Sequence, residues 1–426
     1  MPVQSDSQVI STEIEKVRDD VPTLFEMADT WVSKVEKRPA DAVSARDMRV
    51  SLKIRPGGKS GAFDPDGGDM GRGGGASYTH ATVPVVHAKI GIEWTKKAQW
   101  GTDDRRKAVV NAFKETLADA MPQFKRDIDT WAMTAGDGVI MTADSYSVGT
   151  GTNGGDRLTA NGATNGFGAS LPRFDMNVNV YDTTLATNRT LGSERTINFW
   201  DVENKIVDIF PSVATGVNGD KLVVSGLTAT PPSWLLGVQY HHNAASTGTW
   251  LGLNRATTPE IRANQVAAGG ALALPFPRLA LNKIGNRLGA NEMAMGKVQA
   301  WMHPCQKQAY EELGQLVSII QKQAKDESLN LYFGDGMQMA GAPVQTSFHW
   351  DKTRIDFVDF NVWGRAEMYP VGFYTTSDGR KFFEVRGTSG GVVAAELIYL
   401  RYGFQLFVNN PPKCSYISGL TIPSGY

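Results

Sequence analysis

The sequence has few cysteines and no long hydrophobic run. Only Cys305 and Cys414 occur among 426 residues, and C-x-x-C is absent, so neither a disulfide framework nor a cysteine zinc site is expected. The longest apolar stretches, such as VVAAELIYL (392–400), are far shorter than the roughly 20 residues that a membrane helix needs. We therefore expect a soluble protein without a membrane partner, made in a reducing compartment.

An excess of charge of either sign is also missing. Lys and Arg number 43 and Asp and Glu number 44, so the formal net charge is −1, in a chain that is 41% hydrophobic. This is an ordinary globular composition, and it argues against a strongly basic nucleic-acid binder. The N-terminus has no basic region followed by an apolar one, which argues against secretion. A chain of this length predicts two or more packed units.

Motifs for catalysis and cofactor binding are not found. Neither G-x-S-x-G nor H-E-x-x-H occurs. The two histidine-containing stretches that resemble metal ligands, HHN (241–243) and HPC (303–305), supply too few groups for a metal site. We interpret the six histidines as structural or surface residues. The sequence predicts no enzyme, no cofactor and no metal.

Residues 57–75, GGKSGAFDPDGGDMGRGGG, are nearly half glycine. Gly58-Lys59-Ser60 resembles the end of a phosphate-binding loop, but the required earlier glycine is missing and a strand pattern follows instead of a helix. A calcium loop starting at Asp64 would need a Glu where Gly75 stands. Because glycine adopts many backbone conformations, we interpret this stretch as a flexible tip.

The first third of the chain predicts three elements. Residues 8–38 have apolar residues at helical spacing and predict an amphipathic N-terminal arm. Residues 46–56 alternate between apolar and polar, and 78–95 are rich in β-branched and aromatic residues, so the two predict a long hairpin around the glycine tip. Residues 103–133 carry a one-sided apolar stripe and predict a long helix.

The rest of the chain predicts a mixed α+β fold in two interlaced units. The pattern is β-rich from about 145 to 235, with strands at 177–182, 195–202 and 220–230. Helices are predicted at 278–288 and 304–323, and further strands at 297–302, 353–363, 381–387 and 392–409.

In order and spacing these segments resemble the major capsid proteins of tailed phages with the HK97 fold. RVSLKIRPGGKSG with its return VPVVHAKIGIEWTKKAQ resembles the extended E-loop of that family, and DDRRKAVVNAFKETLADAMPQFKRDIDTWAMTAGDGV resembles its long spine helix. GVQYHHN, TWLGLNRATTPEIRAN, KVQAWMHPCQKQAYEEL and YPVGFYTTSDGRKFFEVR resemble parts of its axial domain. The likeness covers most of the chain and is weakest over 145–235.

The resemblance implies six regions. They are an N-terminal arm (1–45), an E-loop β-hairpin (46–98), the spine helix of a peripheral domain (99–145), a β-rich insertion (146–235), an axial domain (236–385) and C-terminal strands that return to the peripheral and axial domains (386–426). The expected contacts between subunits involve the loop and its base, with candidate residues Lys53, Arg55, Lys59, Arg72, Trp94 and Trp100.

The implied function is structural. Such a protein assembles as hexamers and pentamers, in the host cytoplasm, into the icosahedral head of a virion that encloses double-stranded DNA without binding it tightly. Expected partners are a portal protein, a decoration protein and a separate scaffolding protein, since only about 45 residues precede the hairpin. Two alternatives stay open: an encapsulin-like shell around a cargo enzyme, and a β-rich surface-binding module.

Overall fold

The chain forms two units in its computed structural model. The first unit comprises Met1–Lys34, Val86–Ala132 and Glu367–Phe404, and the second comprises Val35–Val85, Met133–Ala366 and Gln405–Tyr426. The residues that the structure describes are 31–38, 41–42, 47–62, 66, 72–95, 106–160, 166–190, 193–227, 229–289, 298–321, 337–386 and 392–426. Each unit therefore contains segments that are far apart in the sequence.

The described elements are mostly strands. In chain order the strands are β1 (Asp41–Ala42), β2 (Asp47–Arg55), β3 (Ser77–Pro84), β4 (Val86–Thr95), β5 (Val139–Thr142), β6 (Ser145–Ser147), β7 (Asp156–Thr159), β8 (Asn177–Tyr181), β9 (Arg195–Asp201), β10 (Ile206–Phe210), β11 (Lys221–Val224), β12 (Thr249–Trp250), β13 (Leu253–Asn254), β14 (Asn264–Gly270), β15 (Val298–Met302), β16 (Gln338–Met339), β17 (Ala342–Thr346), β18 (Ile355–Asp359), β19 (Trp363–Phe373), β20 (Phe382–Arg386), β21 (Val392–Val408) and β22 (Ser415–Leu420). The α-helices are α1 (Arg106–Ala132), α2 (Val238–His241), α3 (Pro275–Leu288) and α4 (Pro304–Gln321). None of these helices is long and apolar enough to cross a membrane.

In the first unit, α1 packs on a sheet built around β21. Strand β21 pairs with β4 over Ala395–Phe404 and with β20 on its other edge, both antiparallel. Side chains on β4 alternate between buried and exposed, because one face of the sheet meets the helix. Ile92 of β4 joins Ile398 of β21 and Ala120 of α1 in one buried cluster. The predicted long helix is confirmed, and of its described stripe Phe124 and Ile128 are buried.

The second unit contains a seven-stranded antiparallel sheet in the order β5-β11-β8-β9-β10-β7-β6. The three strands predicted at 177–182, 195–202 and 220–230 are confirmed as β8, β9 and β11. The sheet is completed by short strands that the sequence pattern did not predict, β5, β6, β7 and β10. Since β5 begins at Val139, the β-rich region starts earlier than residue 146, and it takes its first strand from the range assigned to the spine helix.

A six-stranded mixed sheet, also in the second unit, has the order β14-β22-β18-β15-β17-β16. Strand β22 near the C-terminus pairs in parallel with β14, and β15 pairs in parallel with β17. Helix α3 lies against this sheet and buries Ala280 and Ile284 in a core with Phe357 and Ile417. Strand β20 belongs to the sheet around β21, whereas β22 joins the six-stranded sheet. The axial range 236–385 stays a prediction.

The predicted E-loop hairpin, 46–98, is too long. Strand β2 pairs with β3 from Asp47↔Pro84 to Arg55↔Ser77, and the chain then leaves this ladder at Val85. Pro84 cannot donate a backbone hydrogen bond, which favours the end of a strand at that position. The next strand, β4, pairs with β21 instead.

The predicted N-terminal arm lies mostly outside the described residues. Where it is described, the helical pattern does not continue to residue 38. Val32–Lys34 form a 3₁₀ turn, and Lys37 makes a parallel bridge with Arg365. The Asp129 carboxylate accepts hydrogen bonds from the backbone N–H groups of Trp31 and Val32, at 2.9 and 2.8 Å, and so caps that turn.

Candidate intersubunit surface

The β2–β3 hairpin has one apolar side and one polar side. Along β2, Met48 is buried and Val50, Leu52 and Ile54 are half-buried, whereas the residues between them are exposed at Arg49, Ser51, Lys53 and Arg55. This alternation confirms the predicted strand at 46–56. Met48 packs in a core with Val83, Trp250 and Phe407. The base of the hairpin is therefore anchored in the second unit.

The backbone conformation of the described part of the hairpin tip favours glycine at positions 57 and 58. The backbone N–H of Gly58 donates a 2.8 Å hydrogen bond to the carbonyl of Gly74. Gly58 has a φ of +104°, which side chains rarely tolerate, and a Cβ on Gly57 would lie 2.8 Å from the backbone nitrogen of Ala76. Strand β3, not a helix, follows the tip. A phosphate-binding loop at Gly58-Lys59-Ser60 would need a helix after it, so the structure does not favour that function, as the sequence indicated.

Four of the six predicted contact residues lie together on this hairpin. Lys53 and Arg55 are exposed on β2, and Lys59 and Arg72 are exposed at the tip. Arg55 Nε donates a 2.8 Å hydrogen bond to Glu260 Oε1, and the Lys53 ammonium lies 5.9 Å from the centre of the Tyr78 ring. Tyr78 is 71% exposed. These side chains form a basic and aromatic surface that the described residues do not cover.

Of the two predicted tryptophans, the structure describes only the backbone of Trp94. The backbone of Trp94 lies in β4, where it pairs with Glu396, and β4 is not part of the hairpin. The side chain of Trp94 and the whole of Trp100 lie outside the described residues. Their assignment as contact residues stays a prediction.

A groove of about 860 Å³ runs beside the hairpin base, entirely within the second unit. One wall is the stretch of β2 from Arg49 to Ile54, and the other walls come from the Pro259–Ile261 turn, the end of α3 and residues 407–412. Its apolar lining includes Ile261, Leu288 and Phe407. No sequence pattern indicates this groove, because its walls come from five segments, including the one that carries Arg38, that are distant along the chain.

Basic side chains outnumber acidic ones in the groove. The basic residues are Arg38, Arg49, Lys53 and Arg287, and the one acidic residue in the lining is Glu260. The Arg287 guanidinium donates to the carbonyls of Arg262 and Pro259, at 2.6 and 2.8 Å. Burial and the nearby charge of Arg262 lower the pKa of Arg287. A guanidinium held by carbonyls keeps its full charge, so the groove has a positive potential.

The positive charge around the groove affects the pKa of Glu260. Burial alone would raise the pKa of its carboxyl, but a backbone hydrogen bond, the hydrogen bond from Arg55 and the charges of Arg55 and Arg287 together hold the pKa below its usual value. Glu260 is therefore an anion that fixes the position of Arg55 at the hairpin base. The side chain of Arg55 is 60% exposed and that of Glu260 is 34% exposed. This ion pair therefore positions Arg55 and contributes little to the stability of the fold.

One set of buried ionisable groups in the second unit forms a hydrogen-bonded network around Asp356. Asp356 accepts hydrogen bonds from Arg354, from His242 Nδ1 at 2.8 Å and from Trp350 Nε1 at 3.0 Å. Arg354 also lies 4.0 Å from the centre of the Tyr416 ring. The space beside these groups is only about 10 Å³, too small for a substrate. We interpret the network as structural.

Within the part of the chain that the structure describes, no group of three His, Cys, Asp or Glu side chains could hold a metal ion. His241, His242, His303 and His349 are all buried. His87 is exposed and its Nδ1 lies 2.8 Å from the hydroxyl of Tyr369. These positions fit the structural interpretation of the histidines.

No protein-family model and no curated protein matches the sequence. Solved structures do match the fold. A chain of the cyanophage A-1(L) capsid asymmetric unit is 11% identical, with 96% of this chain and 97% of that chain covered and a TM-score of 0.51. A chain of the capsid of a native GTA particle is 13% identical over 97% and 99% of the two chains, with a TM-score of 0.43. The capsid of Myoviridae phage XM1 gives 8% identity over 96% and 97%, with a TM-score of 0.45.

Of these three matches, the chain of the cyanophage A-1(L) capsid supports a statement about the fold, since the other two TM-scores are below 0.5. At 11% identity and nearly complete coverage of both chains, the chain has the α+β fold of a phage capsid protein. The similarity includes the β-rich region that least resembled the family in sequence.

Proposed function

We propose that this chain is the major capsid protein of a tailed phage. It assembles as hexamers and pentamers into the icosahedral head shell that encloses the double-stranded DNA genome, and it acts in the virion as a structural protein without catalysis. The observation that carries the proposal is the near-complete structural match to a phage capsid chain. Function is not fixed by fold alone, so the hairpin and groove supply the second support.

The hairpin has the features expected of an arm that contacts a neighbouring subunit. Its base is held in the core through Met48, while the described residues of its tip bury no apolar side chain. Tyr78 and five basic residues, Arg49, Lys53, Arg55, Lys59 and Arg72, are exposed to solvent along it. Aromatic and arginine side chains are enriched at protein interfaces. We assign the E-loop to the β2–β3 hairpin, and the spine helix to α1.

Electron microscopy tests the proposal directly. The chain is expressed alone and together with the genes adjacent to it, so that a separate scaffolding, portal or decoration protein can act. We expect shells, tubes or rings of five and six subunits. Discrete monomers in both samples would exclude the capsid function and favour a surface-binding module. Shells that contain a cargo enzyme and no DNA, from a locus without portal or terminase genes, would indicate an encapsulin-like compartment.

A further inference from the structure

Two cations lie side by side on the face of the β21 sheet that is turned away from α1. Lys89 of β4 and Arg401 of β21 are direct partners in the antiparallel ladder, so their side chains leave the sheet on the same side. The next residue along β21 in the other direction of the pleat, Leu400, packs with Ala120 of α1. Like charges directly opposite each other destabilise a sheet, and an anion bound between them would relieve that repulsion.

No ion pair neutralises these two charges among the residues that the structure describes. In that part of the chain neither side chain forms a hydrogen bond either, and the contacts of both are with aromatic rings. The acidic residue on the same face of β4 is Glu93, four residues along the strand from Lys89 and therefore roughly 13 Å away. The face thus has a local excess of positive charge.

Tyrosine rings hold the Arg401 guanidinium in position. The guanidinium lies 4.8 Å from the centre of the Tyr369 ring and 5.1 Å from that of Tyr374, which is 41% exposed. The Lys89 ammonium lies 5.9 Å from the centre of the Tyr399 ring. A guanidinium stacked on ring faces keeps its N–H edge for a planar anion, which it binds with two parallel hydrogen bonds. Arg401 is therefore preorganised to bind a carboxylate.

Two glycines on the same face leave room for these rings. Gly91 is the ladder partner of Tyr399, and a Cβ on it would lie 3.0 Å from that ring. A Cβ on Gly403 would lie 2.4 Å from the ring of Tyr369. Neither glycine has a positive φ, so the backbone would accept another residue at both positions. The close approach of the rings is what these positions provide in the strand.

We propose that this face binds an acidic segment of a partner protein and holds a carboxylate between Lys89 and Arg401. Charge complementarity favours an acidic segment. Tyrosine and arginine are enriched at protein interfaces, which favours a protein partner. A single-stranded nucleic acid stacks its bases on free aromatic faces, whereas here cations lie over the rings. Because the site lies within one copy of the chain, its affinity can be measured without shell formation.

Fluorescence anisotropy of a labelled peptide of about eight glutamates tests the site in the full-length, unassembled protein. We expect saturable binding that weakens with salt, and a Kd about tenfold or more higher for Lys89→Gln with Arg401→Gln. The single variant Arg401→Lys keeps the charge but not the two parallel hydrogen bonds, so its Kd should rise by about threefold or more. The matched control, Arg49→Gln with Lys53→Gln, removes the same two charges from the groove beside β2 and should change the Kd by less than about twofold.

A purely structural role of the two cations would give a different result. Because Lys89 and Arg401 repel each other, Lys89→Gln should keep or raise the midpoint of urea unfolding while it weakens peptide binding. A lower midpoint together with unchanged peptide binding would show that the pair only supports the fold, and it would overturn the proposal. The same unfolding curves verify that each variant is folded.

A DNA duplex of about 20 base pairs in the same assay distinguishes the two kinds of polyanion. Tighter binding of the duplex than of the peptide, lost in Lys89→Gln with Arg401→Gln, would overturn the proposal in favour of a nucleic acid. The absence of peptide binding, or peptide binding that depends on the groove residues instead, would also overturn it. A wild-type protein that binds the peptide as expected and never forms shells would support this site and refute the shell function.

Discussion

Trp250 Nε1 donates a hydrogen bond to Nδ1 of His241 at 3.1 Å. The other ring nitrogen of His241, Nε2, lies 3.2 Å from the carbonyl of Leu406 and must carry the proton, because a carbonyl only accepts. The imidazole is 1% exposed and packs edge-on against Tyr240 and Trp363. Protonation of Nδ1 would place two N–H groups against each other, so the core accepts only the neutral ring.

Stability is expected to decrease below neutral pH for this reason. Burial lowers the pKa of His241 to about 3, and burial with the charge of Lys352 lowers the pKa of His303 to about 4. Unfolding restores an ordinary pKa near 6.5, so the unfolded chain binds more protons between that value and the folded ones. The stabilising contribution is complete above pH 6.5 and is lost as the pH falls. At pH 5 each histidine should cost roughly 2 kcal/mol.

Urea unfolding of the unassembled protein at pH 7.5 and pH 5 measures this effect. The variant His241→Gln is less stable at both values, but it should lose roughly 2 kcal/mol less than the wild type between them, since one titrating group is gone. An equal loss in the variant and the wild type would mean that His241 does not titrate on unfolding in this range.

The sequence predicted the elements whose pattern is local. The alternation of β2 and the apolar run of β21 are visible in single stretches, and both strands are present. The hairpin boundary was wrong because the residues from Val86 onward look like a continuation of β3, and only the pairing with β21 separates them. A local sequence pattern does not show which strands pair when those strands are distant in the sequence.

The candidate site was predictable to a similar extent. Lys53, Arg55, Lys59 and Arg72 follow from the hairpin and its glycine tip. Arg287 and Glu260 were not recognised, since their role depends on the position of α3 and of the Pro259–Ile261 turn beside β2. The groove is therefore a property of the tertiary structure.

A buried carboxylate organises one end of the seven-stranded sheet. Asp156 is fully buried and accepts hydrogen bonds from Tyr146 Oη at 2.8 Å, Gly149 N at 2.8 Å, Val213 N at 2.6 Å and the hydroxyl of Ser212. Burial, followed by the hydrogen bond to Asp156, raises the pKa of Tyr146, so its hydroxyl stays a donor. Tyr146→Phe should cost about 1 kcal/mol of unfolding free energy, because three donors remain.

The glycine beside this tyrosine should show a coupled effect. A Cβ on Gly216 would lie 2.2 Å from the Tyr146 ring, so Gly216→Ala should destabilise the protein by more than Tyr146→Phe does. In a Tyr146→Ala background the clash is absent, and the cost of Gly216→Ala should fall by about 1 kcal/mol or more. A double-mutant cycle by urea unfolding measures this coupling. Additive costs would show that the glycine is needed for another reason.

Both cysteines should resist thiol reagents in the folded protein. Cys305 and Cys414 are each 0% exposed. Burial raises the pKa of Cys305 to about 11, and burial with the charges of Asp359 and Asp356 raises the pKa of Cys414 as well. Since the thiolate is the reactive form, an aromatic disulfide reagent should label neither residue at pH 8, and both after unfolding in urea. Rapid labelling of the native protein would contradict this packing.

The tip of the hairpin should matter for assembly and little for folding. Deletion of residues 59–73 joins Gly58 to Gly74, which already share a 2.8 Å hydrogen bond, and two glycines suit a tight hairpin turn. The described residues that are removed are exposed, so the unassembled protein should keep its unfolding free energy within about 0.5 kcal/mol. If the hairpin contacts a neighbour as proposed, shells should not form. The milder variant Lys59→Ala with Arg72→Ala removes two tip charges and keeps the loop length. Shells from the deletion variant at the wild-type yield would assign the contacts between subunits to the hairpin base and leave no role for its tip.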